Sequence, residues 1–131
     1  MKTLVIGAAI IDIIMKIKRL PKSGEDILCS ETVSAVGGCA YNVAGTLRGF
    51  GVDHDLFVPV GRGMYGDMIA GDLEKLGYQI LIREEESDNG YCLCLVEEDG
   101  ERTFITVKGA EGRFRPSWFE QLSQDAYDSI Y

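Results

Sequence analysis

Three groups of residues in this chain have the types and spacing for chemistry. The first is Asp12, a lone carboxylate between Ile11 and Ile13 in the apolar run TLVIGAAIIDIIM. A carboxylate among apolar neighbours costs free energy unless it is paired or used. Strand C-termini of open α/β sheets face the ligand crevice, which would give Asp12 a substrate. Capping a loop or pairing with a lysine would satisfy it as well. The second group is Gly37-Gly38 ahead of a helical run, with Asn42 one turn inside. Bare backbone at a helix N-terminus offers N–H groups to a phosphate or a hydroxyl-rich ligand, and close backbone packing also asks for glycine. An amide both donates and accepts toward a hydroxyl, and asparagine is a poor helix former, so its place needs a reason. No Gly-Lys-Ser/Thr follows, so this is not a Walker A loop.

The third group is GRGMYG. Gly61, Gly63 and Gly66 have the G-x-G-x-x-G spacing of a dinucleotide loop, and Glu84, Glu85 and Glu86 follow about 20 residues on. A nicotinamide-dependent oxidoreductase domain is therefore a rival to any sugar or phosphate chemistry. Pro59 in the preceding strand lacks a ladder donor, and the motif opens the second β–α unit rather than the first. Both count against the rival.

The remaining candidates are weaker. Cys29, Cys39, Cys92 and Cys94 form no C-x-x-C pair and His54 is the only histidine, so no metal site is expected. Free thiols in a reducing cytoplasm are the expectation. The net charge of −8 argues against a nucleic-acid surface, which needs Lys and Arg to neutralise phosphates. Asp12, then Lys16 and Lys18, break the apolar N-terminal run before it reaches the length of a membrane span. At 131 residues and 46% hydrophobic, the chain can bury a core without staples.

The elements that must position these residues follow from periodicity. Residues 3–8 read as a buried strand, and 13–19 as a strand with one wet face. LPKSGED is a loop, and 27–35 is extended again. Ala40, Val43, Ala44, Leu47 and Phe50 recur at helical spacing and end at Gly51. DLFVPV reads as a strand, YGDMIAGDLEKLG as a helix, and QILI as a strand. This β–α–β–α–β order predicts an α/β fold with a mostly parallel sheet. Asp99-Gly100 then joins 91–97 and 102–108 as a hairpin. On 91–97, Tyr91, Leu93 and Leu95 share one face and Cys92, Cys94 and Val96 the other. With 13–19 and 27–35 these strands form a small antiparallel layer, placed to cover a site. RPSWFEQLSQ reads as a further helix, and YDSIY, up to Tyr131, as the start of another core strand.

In order and spacing, GAAIID, GGCAYNVAGTLRGFG, VGRGMYG and GYCLCLVEEDGERT resemble the N-terminal part of the PfkB/ribokinase-like carbohydrate kinases, over nearly the whole chain. The resemblance implies a Rossmann-like, mostly parallel core, incomplete here, carrying a small β-sheet lid. It implies transfer of the ATP γ-phosphoryl group, with Mg2+, to a hydroxyl of a sugar or nucleoside. Asp12 and Asn42 would bind substrate hydroxyls, and Gly37 and Gly38 would be the hinge where lid meets core. GRGMYG becomes the family's V-G-x-D-x-x-G segment, with Gly63 where Asp is common and Asp67 a possible replacement cap. Ile10 stands where ribokinases carry an Asn, and Glu111 where Asn is common. The family's catalytic G-A-G-D segment and most of its ATP site have no counterpart here. No residue of this chain is therefore assigned to catalysis, and the catalytic segment is expected C-terminal of Tyr131. The expectation is an inactive substrate-binding and lid portion of a cytoplasmic kinase, able to pair with a second copy through its lid. A non-catalytic sugar-binding module is the remaining alternative.

Overall fold

A computed structural model describes residues 1–131. The chain runs β1 (Thr3–Ile6), β2 (Ile10–Lys16), β3 (Glu31–Gly37), α1 (Cys39–Gly49), β4 (His54–Phe57), β5 (Pro59–Val60), α2 (Met64–Lys75), β6 (Ile82–Arg83), β7 (Tyr91–Val96), β8 (Arg102–Val107) and β9 (Ser129–Ile130). The core is parallel throughout, with β4, β1 and β9 in one sheet and β5 beside β6 in another. A separate four-stranded sheet has the order β3-β2-β7-β8.

Alternation along β1 and β4 decides what each face of the core sheet buries. Val5 and Leu56 join Ala40 and Ala44 of α1 and Ile69, Ala70 and Leu73 of α2 in the main cluster. Leu4 and Phe57 point the other way, to Ile82, Trp118, Leu122 and Tyr127. The two α-helices thus cover one face, and the segment after residue 115 covers the other. Gly51 closes α1 at φ 67°, a left-handed conformation that suits glycine. No helix is long and apolar enough to cross a membrane.

Six expectations need correction. The lid sheet is mixed rather than antiparallel. Its two hairpins are antiparallel, but β2 and β7 pair in parallel along the centre, from Ile11 beside Tyr91 to Lys16 beside Val96. Both strands leave the core at the same end and head the same way, so they can only meet in parallel. The strand expected at 13–19 is Ile10–Lys16, because Ile10 and Ile11 already pair with Gly37 and Val36. Asp12 therefore lies inside a lid strand and not at the tip of a core strand. Its partner, expected at 27–35, is Glu31–Gly37. DLFVPV splits at Val58 into β4 and β5, and QILI contributes only Ile82 to β6.

The helix expected in RPSWFEQLSQ is a 3-10 segment, Pro116–Gln121. Trp118 and Leu122 reach the Leu4–Phe57 cluster, and Phe119 tilts onto Phe57 at a ring distance of 5.2 Å. No residue of the segment is buried, so it lacks the packed apolar face that holds an α-helix in place. The strand expected in YDSIY is β9, and Tyr131 extends its ladder by one residue. The Tyr131 N–H donates to the Leu4 carbonyl and its carbonyl accepts from the Ile6 N–H, each at 2.9 Å.

Candidate functional site

Where β2 and β3 meet the start of α1, three of the four expected site residues come together. Asp12 pairs with Ala35 and Ile10 with Gly37, so Asp12 and Gly37 share a face of the lid sheet. The opposite face carries Ile11, Ile13, Val36 and Tyr91, which belong to or pack against the main core. A Cβ on Gly37 would overlap Asp12 Oδ2, so glycine here is the condition for the carboxylate's position. Gly38 has φ 103°, a region L side chains rarely adopt, and a Cβ there would strike the Ala8 carbonyl. The second glycine lets β3 turn into α1 against the β1–β2 connection.

The carboxylate of Asp12 has no cation and no backbone N–H on it. Its neighbours are two thiols, Cys94 with Sγ 4.0 Å from Oδ1 and Cys92 within 4.8 Å. Burial raises the Asp12 pKa above its ordinary value. Burial also pushes the Cys94 thiol up to about 11, helped by its hydrogen bond to Cys92 and by the negative charge of Asp12. The N-terminus of α1 is equally unfilled. Gly38 offers no side-chain cap, and neither the Cys39 nor the Ala40 N–H finds a partner in the chain. A carboxylate seeking donors and two amides seeking acceptors stand at one junction.

Asn42 stands apart from this group. It is exposed one turn into α1, its side-chain amide makes no hydrogen bond, and its carbonyl receives the Thr46 hydroxyl at 3.0 Å. It lines a groove of about 420 Å³ with Tyr41, Arg48 and Tyr78. Tyr131, the residue beyond which catalysis is expected, takes no part in the junction. It is exposed at the end of β9, and its backbone is spent on the β1 ladder.

GRGMYG is packed for another purpose than a dinucleotide. The Asp88 carboxylate receives the N–H groups of Tyr65 (3.1 Å) and Gly66 (2.6 Å) at the start of α2. A Cβ at Gly61 would strike the Ser87 carbonyl, and one at Gly63 the Asp88 carboxylate. The amides that would cradle a pyrophosphate are taken by a negative side chain, which would also repel it. The three glutamates are no freer. Glu85 holds Arg62 through two contacts of 2.6 and 2.9 Å, and buried Glu84 holds Arg115 at 2.7 Å. The oxidoreductase alternative is removed on this geometry. Asp67 does not cap α2, since it pairs with Arg83 at 2.6 Å. The missing carboxylate at residue 63 is supplied by Asp88 from a distant segment.

Sequence reasoning missed the polar knot beneath the lid. Asn89, 3% exposed, accepts from the Gly61 N–H at 2.6 Å and donates to the carbonyls of Ala9 (3.1 Å) and Pro59 (3.0 Å). It thereby ties the residue before β2 to β5 and to the root of β7. Glu111 accepts from the N–H groups of Gly90 (2.8 Å) and Gly109 (2.9 Å). That is what the acid in GAE does: it binds the start of β7 to the exit of β8. Of these residues only Glu111 stands out in the sequence, as a departure from the family's common Asn.

Comparison with known proteins is consistent across sequence and structure. Residues 1–130 match the pfkB family carbohydrate kinase profile. The chain is 41% identical over 120 residues to the uncharacterised sugar kinase YegV of Escherichia coli, covering 92% of this chain and 37% of that protein. The ribokinase structure from Giardia lamblia superposes with a TM-score of 0.86 at 25% identity, over 98% of this chain and 41% of that one. The Arabidopsis thaliana ribokinase complexed with ribose and ATP gives 0.72 at 27% identity, over 95% and 40%. The chain thus spans little more than a third of its curated relative.

Proposed function

Because the chain belongs to the pfkB family of carbohydrate kinases, we propose that its Asp12–Gly37–Gly38 junction receives the hydroxyls of a sugar or nucleoside in an ATP-dependent kinase. The observation that carries this is the carboxylate of Asp12, with no cation and no backbone N–H on it, seated on Gly37 beside the open N-terminus of α1. A carboxylate accepts from two neighbouring hydroxyls, and backbone N–H groups donate to hydroxyl oxygens, so the junction suits a polyol. Asn42 adds an amide on the same helix. The four-stranded sheet serves as the lid, whose closure would exclude water as a competing acceptor. Ribose in the Arabidopsis relative is the type of ligand this arrangement suits.

ATP and Mg2+ belong to this proposal for the whole enzyme, but the residues present do not fit them. The α2 N-terminus is filled by Asp88. The one three-residue cluster of metal-binding side chains, Asp12 with Cys92 and Cys94, is sulfur-rich and unsuited to hard Mg2+. No phosphoryl step is assigned to residues of this chain, and the proposal leaves catalysis to a segment C-terminal of Tyr131.

Titration calorimetry of the chain with D-ribose, inosine and a set of hexoses tests the reading. Saturable binding is expected, weakened at least about tenfold in Asp12→Ala. Equal affinity in that variant would remove Asp12 from the site. A coupled ATPase assay on the same chain should show no sugar-dependent turnover, and turnover would overturn the assignment of catalysis to other residues. Val33 on β3 and Phe104, Ile105 and Val107 on β8 leave exposed apolar surface on both edge strands. Such edges invite pairing, so a second copy is the proposed partner. Light scattering showing a monomer across the concentration range would refute it.

A further inference from the structure

We propose that Asp12, Cys92 and Cys94 form a binding site for a thiophilic divalent cation, Zn2+ foremost. C-x-C lacks the C-x-x-C spacing of a zinc loop, but on a strand residues i and i+2 point to the same face. β7 therefore presents both thiols together, and the parallel register that sets Asp12 beside Cys92 brings in the carboxylate. Their ligand atoms all lie within 4.8 Å of one another. The two sulfurs are 3.9 Å apart, and Cys94 Sγ is 4.0 Å from Asp12 Oδ1.

A tetrahedral zinc ion with Zn–S of about 2.3 Å and Zn–O of about 2.1 Å needs roughly 3.8 Å between sulfurs and 3.6 Å between sulfur and oxygen. The sulfur pair already has that span, and the carboxylate must close by about 0.4 Å on the Cys94 side. Across the sheet, the Thr106 hydroxyl on β8 donates to Cys92 Sγ at 3.4 Å, the kind of outer contact that orients a metal ligand. Three protein ligands leave one tetrahedral position for water or another donor. Two sulfurs and one oxygen select a soft or borderline ion over Mg2+ or Ca2+. The site does not depend on the sugar-kinase proposal. If that proposal also holds, ion and sugar exclude each other, because both take the Asp12 carboxylate.

Cobalt(II) titration of the reduced, metal-free full chain tests the site, read by the sulfur-to-cobalt charge-transfer band and then by displacement with Zn2+. One equivalent of Co2+ should bind and be displaced by Zn2+, with no response to Mg2+. Cys92→Ser and Cys94→Ser should each lose the band or weaken binding by more than about tenfold, and Thr106→Val should weaken it about tenfold. Cys29→Ser and Cys39→Ser should change nothing. Asp12→Asn tests the carboxylate without touching the buried sulfur positions, and far-UV circular dichroism checks that every variant is folded. Absence of saturable uptake, unchanged binding in Asp12→Asn, or loss of binding in the Cys29 and Cys39 variants would each overturn the proposal. No sugar enters this titration, so its failure leaves the kinase proposal standing. A chain that takes Co2+ but no sugar would separate the two in the other direction.

Discussion

Replacing Asn89 with alanine should be among the most damaging single changes in this chain, although Asn89 touches neither Asp12 nor α1. Its amide serves three backbone groups from two segments: the carbonyl of Ala9, and the carbonyl of Pro59 with the N–H of Gly61. At 3% exposure no water takes over when the side chain goes. A buried group left without its partner costs about 1–3 kcal/mol, and a carbonyl less than an N–H because its second lone pair can find another donor. The sum is about 3–5 kcal/mol. A chain of this size has about 7–20 kcal/mol in total. An unfolding entropy of about 0.28 kcal/mol/K for this size turns the loss into a Tm drop of roughly 11–18 °C.

Thermal and urea unfolding, monitored by circular dichroism, measure the effect. Hydrogen exchange at Gly61 locates it, since that amide should lose its protection. Asn89→Asp sharpens the test. It keeps an acceptor for Gly61 but loses both donors, and it sets a negative group where Nδ2 now lies 3.5 Å from Glu111 Oε2. At neutral pH it should be at least as unstable as Asn89→Ala. A Tm loss under about 4 °C in the alanine variant would refute the knot as a structural tie.

Three further outcomes follow from the geometry. The folded-state pKa of Asp12 is raised by burial above the ordinary 3.8, so the protonated form favours folding below that value, and this stabilisation is lost as pH rises through the folded pKa. Asp12→Asn should therefore raise Tm at pH 7, with the gain vanishing near pH 3 in scans at both pH values. Gly37→Ala should displace the Asp12 carboxylate, weaken sugar binding at least about tenfold by calorimetry, and cost about 1–3 kcal/mol of stability through overpacking. Asp88→Ala removes the acceptor at the start of α2 and should cost about 1–2 kcal/mol in urea unfolding, with the helix's first turn losing exchange protection.

Much of this architecture was legible because local periodicity encodes it. Ala40, Ala44 and Leu47 announced α1, and alternation in 91–97 sorted Tyr91 from Cys92 correctly onto opposite faces. The Asp12–Gly37–Gly38 grouping was also legible, through motif order. What escaped depends on pairing between distant segments, which no local pattern specifies. The parallel seam between β2 and β7 is one case, and it alone puts Asp12 beside the two cysteines. Asp88, Asn89 and Glu111 are another. Asp88 and Asn89 look like ordinary loop residues and Glu111 shows only as a departure from the family's common Asn; their roles appear when the backbone groups they serve arrive from the β1–β2 connection, β5, the start of α2 and the exit of β8. The Trp118-Phe119 segment escaped because a favourable helix start does not hold an α-helix where none of its residues is buried.

The parallel seam also orders the assembly of the molecule. The β7–β8 hairpin closes over residues 97–101 and the β2–β3 hairpin over the longer stretch 17–30, but joining Ile11 to Tyr91 spans α1, β4 and α2. Loop-closure entropy is met before such a distant pairing yields any contact, and folding slows accordingly. The β7–β8 hairpin can form early, while the seam must wait for α1, β4 and α2 to bring its two halves to the same end of the core. The surface that carries Asp12 is thus completed after the core elements beneath it, and pulsed hydrogen exchange during refolding should find its seam amides protected after those of the β7–β8 hairpin. In this chain the candidate ligand face doubles as a report that the core beneath it has folded.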